Sequence, residues 1–207
     1  GKVANSGAKF AGTTVSVADT GSFENTAASG VEIGTLDLTG GSVSGTGSMK
    51  ISASLQTAAG TTFAQNVVTT EGSLNVAGTM NIADKLTANK NATFAATASG
   101  TVAKADVNAG MKHSGSMVFT NMDATGNVES LAGTLRIDAL TGTAVLSNAE
   151  GATLDLSRGT ASAAASLANS GTANLKDTTF TGALANSKGT LTGTGTITSQ
   201  SFSNAAR

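Results

Sequence analysis

From Gly115 onward one short phrase keeps returning: Gly115-Ser116-Met117-Val118-Phe119, Gly133-Thr134-Leu135-Arg136-Ile137, Gly151-Ala152-Thr153-Leu154-Asp155-Leu156, Gly171-Thr172-Ala173-Asn174-Leu175, Gly189-Thr190-Leu191-Thr192-Gly193. The starting glycines fall about 18 to 20 residues apart, and a fixed period of that size marks a solenoid, whose repeats stack along one axis and bury a core between neighbours. At this period the 207 residues make about ten coils.

Strand signals within the repeats are short and alternate with period two: Val15-Ser16-Val17, Leu36-Asp37-Leu38, Met49-Lys50-Ile51, Leu74-Asn75-Val76, Met80-Asn81-Ile82, Leu135-Arg136-Ile137, Leu154-Asp155-Leu156. Alternation turns the apolar pair to a buried face and the polar residue to a wet one. Gly, Asn, Asp and Ser occupy the intervening turns, where left-handed backbone angles are tolerated. An antiparallel sandwich or barrel could also use many short strands, but it would show regular hairpin dipeptides, some Pro and large core aromatics. This chain has no Pro, Trp or Tyr, and its aromatics are seven Phe spread from Phe10 to Phe202. A narrow solenoid interior needs only small and medium apolar groups. The expected fold is therefore all-β, a single-stranded parallel β-helix with three short strands per coil, on the order of 50 Å long at a strand spacing of about 4.8 Å.

Before Gly115 the beat is looser. Gly34-Thr35-Leu36-Asp37-Leu38, Gly72-Ser73-Leu74-Asn75-Val76 and Asn91-Ala92-Thr93-Phe94 keep step, whereas Gly47-Ser48-Met49-Lys50-Ile51 and Gly78-Thr79-Met80-Asn81-Ile82 fall between, which assigns them to other faces of the coil. The Ala-rich run from Thr160 to Ala168 reads as an Ala-lined coil, with a helical turn as the alternative. No composition break divides residues 1–207, so a single domain is expected.

Low hydrophobicity with high net charge would signal disorder, but mean hydropathy is slightly positive, +0.08, and net charge is −1. Lys and Arg are scattered singly, which offers a phosphate backbone no basic stripe and excludes nucleic acid as an expected partner. Absence of Cys fits an oxidising secreted setting and a reducing one equally. No run of about 18 apolar residues predicts a membrane span, and Gly1-Lys2-Val3-Ala4-Asn5-Ser6 is not a signal peptide; the expectation is a mature product or a section of a longer protein.

Catalytic material is scarce. His113, flanked by Met111, Met117 and Met122, offers the imidazole and thioethers that suit a soft metal such as Cu(I), but the prevailing reading is stacked core methionines and an exposed His beside Lys112. No Gly-x-Ser-x-Gly elbow accompanies it. Asp37, Asp155 and Arg136 take outward strand positions, and stacking in register would bring Arg136 beside Asp155; without Trp or Tyr platforms for sugar rings, this reads as a solvated face with an incidental ion pair. Gly45-Thr46-Gly47-Ser48-Met49-Lys50 lacks the last glycine of a dinucleotide loop, and Gly40-Gly41-Ser42-Val43-Ser44-Gly45 lacks the Asp of a calcium nonapeptide. Thr190-Leu191-Thr192-Gly193-Thr194-Gly195-Thr196-Ile197-Thr198 is similar to an ice-binding Thr ladder but has no matching Thr-x-Thr ranks, and the sequon Asn91-Ala92-Thr93 matters only in a glycosylating host. The expectation is no enzyme, and no catalytic, cofactor or metal residues.

The phrases Ala168-Asn169-Ser170-Gly171-Thr172 and Ala185-Asn186-Ser187-Lys188-Gly189-Thr190-Leu191-Thr192-Gly193-Thr194-Gly195 resemble the passenger domains of bacterial autotransporters and related large surface adhesins. That resemblance covers most of the chain and implies a right-handed β-helix on the bacterial cell surface, acting in adhesion, aggregation or biofilm formation. Its implied partners are a host or neighbouring cell surface, glycans or copies of itself. The chain departs from a full member in having neither signal peptide nor membrane barrel. From the uncapped repeat at both ends comes the second expectation, a self-assembling extracellular filament or surface-layer subunit stacking through its solenoid ends.

Overall fold

The computed structural model describes residues 1–7, 9–28, 30–159 and 162–205. Among them are twenty-four strands and no helix, and every strand pairing is parallel. Strands join those about one period away, so the chain winds as a β-solenoid of about eleven turns around a single core, as the glycine-led period predicts.

Each turn has three walls. In one turn, Ser116–Ala124 supplies the first wall up to Phe119 and, past a bend, the second; Val128–Ser130 supplies the third. Its neighbour repeats the arrangement with Thr134–Gly142 and Val145–Asn148. The phrases from Gly115 onward all enter the first wall, while the earlier Gly34 and Gly72 phrases enter the third. The two phrases off the beat resolve as the sequence implies: Met49-Lys50-Ile51 stacks on Val31-Glu32-Ile33 in the second wall, and Met80-Asn81-Ile82 belongs to the first.

Irregular period and regular stacking coexist because the corners absorb the difference. Thr62 pairs with Thr79, 17 residues on, and Thr79 with Ser99, 20 residues on. Register shifts between Ile33 and Thr35, Gln65 and Val67, and Val102 and Lys104 take up residues at the bend between walls. A bulge of this kind leaves one residue unpaired and bends the strand, which a long strand needs in order to round a corner.

Inward positions form columns: Phe63, Met80 and, beyond Gly100, Met117, Leu135 and Leu154 follow one another on the first wall, all buried. Burial of each such side chain contributes about 1.5–3 kcal/mol, and in a solenoid these contributions are collected turn against turn. Phe94 meets Phe119 edge-on at 5.8 Å, and Phe10 meets Phe23 at the same separation. Where the Ala-rich run is described it is strand, Ser162–Ala164 followed by Ser166–Asn169, which resolves the alternatives in favour of a coil; Thr160 and Ala161 lie outside the described residues. No helix among the described residues is long and apolar enough to cross a membrane.

Candidate functional site

Two columns set this solenoid apart chemically. The first is external. At the outward position that opens each first-wall strand stand Ser22, Ser42, Thr62, Thr79, Ser99, Ser116, Thr134, Thr153, Thr172 and Thr190, each paired with the next. Ten hydroxyls thus run in single file, and Thr79 and Ser99 are in hydrogen-bond contact at 3.2 Å. β-branched and small polar residues suit a wet position on a pleated surface, and the file places a donor and acceptor about every 4.8 Å along the axis. The Thr-rich stretch joins this file through Thr190 alone, because Thr192 lies against Asn174 and Thr194 against Lys176.

The second column is internal, at the last position of the third wall. It passes from Val17, Leu38, Thr57, Val76 and Phe94 through His113 and Ser130 to Asn148, Asn169, Asn186 and Asn204. The four asparagines are joined head to tail: Asn148 Nδ2 donates to Asn169 Oδ1 at 2.7 Å, Asn169 to Asn186 at 2.8 Å, and Asn186 to Asn204 at 3.0 Å. Nδ2 of Asn148, Asn169 and Asn186 also donates to backbone carbonyls at the adjoining corners, as Asn169 does to Gly171 at 3.2 Å and to Thr190 at 3.2 Å. A buried amide is tolerated only when so satisfied. Gly171 follows from the same packing: a Cβ there would sit 2.2 Å from the Ala149 carbonyl and 2.9 Å from Asn148 Nδ2. A shorter relay of the same kind joins Asn5, Asn25 and Gln65.

Sequence reasoning assigned Asn to turns and missed this ladder. The signal was available: in Leu146-Ser147-Asn148, Leu167-Ala168-Asn169, Leu184-Ala185-Asn186 and Phe202-Ser203-Asn204, strict alternation puts the asparagine on the same side as the apolar residue.

His113 needs a correction. It is wholly buried, not exposed beside Lys112, because it takes the inward position of Met111–His113 while Lys112 points out. Burial pushes its pKa down to about 4, since an apolar interior disfavours the cation. Its ring lies 6.4 Å from that of Phe94, and neither ring nitrogen has a hydrogen-bond partner. Met111, Met117 and Met122 are buried core, as expected.

Arg136 and Asp155 are indeed register partners, yet Arg136 chelates Asp138 instead, with Nε 2.6 Å from Oδ1 and Nη2 2.9 Å from Oδ2. Asp155 takes the Ser157 hydroxyl and amide. Asp37 faces outward beside Gln56 on the third wall. The sequon residue Asn91 is exposed and accepts the Gly110 amide at 3.1 Å. Near it an open polar groove of about 510 Å³ runs past Thr93, Lys112, Asn127 and Glu129. No three His, Cys, Asp or Glu side chains converge among the described residues.

The fold and its columns define a parallel β-solenoid with a hydroxyl-lined exterior and an amide-laddered interior. No family model, curated protein or solved structure matches the chain.

Proposed function

We propose that the chain is a structural surface module, an adhesin or scaffold carried outside a bacterial cell. The observation that carries this reading is the ten-rung hydroxyl file, which runs along the first wall as a continuous repetitive polar surface. Repetition of one weak contact suits attachment to another repetitive surface, because linked sites raise avidity without a tight individual contact. The polar groove beside Asn127 and Glu129 suits glycan hydroxyls in the same way. The test is attachment of the purified chain to bacterial and host cells and to immobilised polysaccharides. Saturable attachment that a Thr134→Lys, Thr153→Lys, Thr172→Lys triple variant weakens supports the reading; no attachment to any of these surfaces removes it.

A second reading, assembly into filaments, draws on the outermost described turns. Val3 and Phe202 are 56% and 59% exposed, and Leu191, Ile197 and Phe202 line an open pocket of about 300 Å³. Where these are the last turns of the solenoid, unpaired strand edges beside exposed apolar groups favour stacking on a further turn. Concentration-dependent rods abolished by Phe202→Asp would select this reading; a monomer at all concentrations would reject it.

A further inference from the structure

The turn from Met111 to Ala124 has an interior unlike its neighbours. It holds the chain's single histidine and three of its five methionines, and Met111, His113, Met117 and Met122 are each at most 1% exposed. They come from all three walls: Met111 and His113 from the third, Met117 from the first just past the Ser114–Gly115 corner, Met122 from the second.

A neutral imidazole presents one N–H and one lone pair, and here both ring nitrogens are buried without a partner. The column identifies what serves the N–H. The next rung is Ser130, whose buried Oγ also has no partner, and the rung after it is Asn148, whose Oδ1 is in the same condition. Rungs lie about 4.8 Å apart, a spacing at which a rotated ring and hydroxyl would reach one another: His113 N–H to Ser130 Oγ, and Ser130 O–H to Asn148 Oδ1. The relay then continues into the asparagine ladder with one direction throughout.

That leaves the second nitrogen and its lone pair. The other inward groups of this turn are Met111, Met117, Phe119, Met122 and Ala124, thioethers and hydrocarbon with no hydrogen to donate. An enclosed water or a cation satisfies a lone pair in such surroundings, and the three thioethers of the same turn favour the cation. Thioether with imidazole selects soft ions, and the inward positions of this turn carry no carboxylate or thiolate to offset a second charge, which favours a monovalent one. We propose that His113, Met111, Met117 and Met122 form an interior site for a soft monovalent metal ion of the Cu(I) class, with Ser130 orienting the imidazole from the opposite nitrogen, as ligating histidines are commonly held. Methionine, with its flexible unbranched chain, can close around an ion. Because the site is sealed behind three walls, it fills as the chain folds.

Silver(I), redox-inert and equally soft, is the probe. The full chain is refolded from denaturant with silver, desalted and weighed by native mass spectrometry, and the ion's neighbours are read by X-ray absorption. One silver ion per chain, with sulfur and nitrogen neighbours, is expected. His113→Phe, which continues the Phe94 column, and Met117→Leu, which conserves volume, should each lower retention by about tenfold or more, while Met49→Leu and Met80→Leu leave it intact. Folding of each variant is checked by circular dichroism, and either of the first two variants suffices for the comparison. No silver retained by the folded wild type, nitrogen and sulfur absent from its neighbours, or retention indifferent to both His113→Phe and Met117→Leu would overturn the proposal.

Discussion

Replacing Asn169 by Leu tests how the internal ladder holds the last turns together. Leu has similar volume, so the change deletes polar contacts without opening a large cavity. Four contacts go: the bond from Asn148 at 2.7 Å, that to Asn186 at 2.8 Å, and those to the Gly171 and Thr190 carbonyls. They are unequal in cost. Gly171 O still accepts the Thr190 amide, and Asn148 Nδ2 still reaches Thr172 O. Asn186 Oδ1, buried, loses its ladder donor, and a group left unpaired away from water costs about 1–3 kcal/mol, whereas Thr190 holds an exposed strand position paired with Thr172. With the loss of the Asn148 bond added and some return from burying a larger apolar group, the net loss should be about 2 kcal/mol.

The same logic fixes the response of the whole ladder. Replacing Asn148, Asn169 and Asn186 together by Leu removes donors and acceptors at once, which is far less costly than orphaning one partner. The triple variant should therefore lose less than the sum of its three single variants, by several kcal/mol on the scale of coupled neighbours. Because the chain has no Trp or Tyr, denaturant unfolding is followed by far-ultraviolet circular dichroism, with amide exchange resolving the turns around residues 145–190, since solenoids can open locally. A loss below about 1 kcal/mol for Asn169→Leu, or strict additivity across the triple variant, would show that the ladder does not hold these turns together.

Acid should destabilise the metal-free chain through His113. Its pKa is about 4 folded against about 6.5 unfolded, so between these values the unfolded state binds a proton the folded state refuses. Stability falls as pH drops through this window by about 3 kcal/mol and levels off below it; denaturation midpoints against pH measure this, and His113→Phe should flatten the slope. Gly171→Ala should cost more than about 2 kcal/mol, because the new Cβ meets two carbonyls at 2.2 and 2.4 Å, whereas Gly151→Ala, in open space at φ 81°, should cost about 1 kcal/mol of left-handed strain; thermal melts compare them. Phe63→Ala should cost about 3–5 kcal/mol as a large core truncation, and a loss under about 1 kcal/mol by denaturant titration would count against the single stacked core.

The solenoid was legible because its signal is carried twice, by glycine spacing and by two-residue alternation; Leu135-Arg136-Ile137 and Leu154-Asp155-Leu156 land with apolar residues in and polar residues out. Even the off-beat phrases were readable as other walls. What escaped was polarity directed inward. Composition treats Asn as a turn former, yet Asn148, Asn169 and Asn186 hold strand positions because each is satisfied by the next turn, a partner 17 to 21 residues away. His113 escaped for the same reason: its neighbour Lys112 suggested solvent, whereas alternation alone assigned the two to opposite sides.

The parallel stacking has a mechanical consequence. Backbone hydrogen bonds between turns run along the rod, so tension applied along the axis loads the bonds of one turn before those of the next, as in opening a zip rather than shearing a sheet. A released turn of about 18 residues lengthens the chain by about 60 Å, so the rod should yield in even steps under modest force and act as an extensible tether that gives way turn by turn.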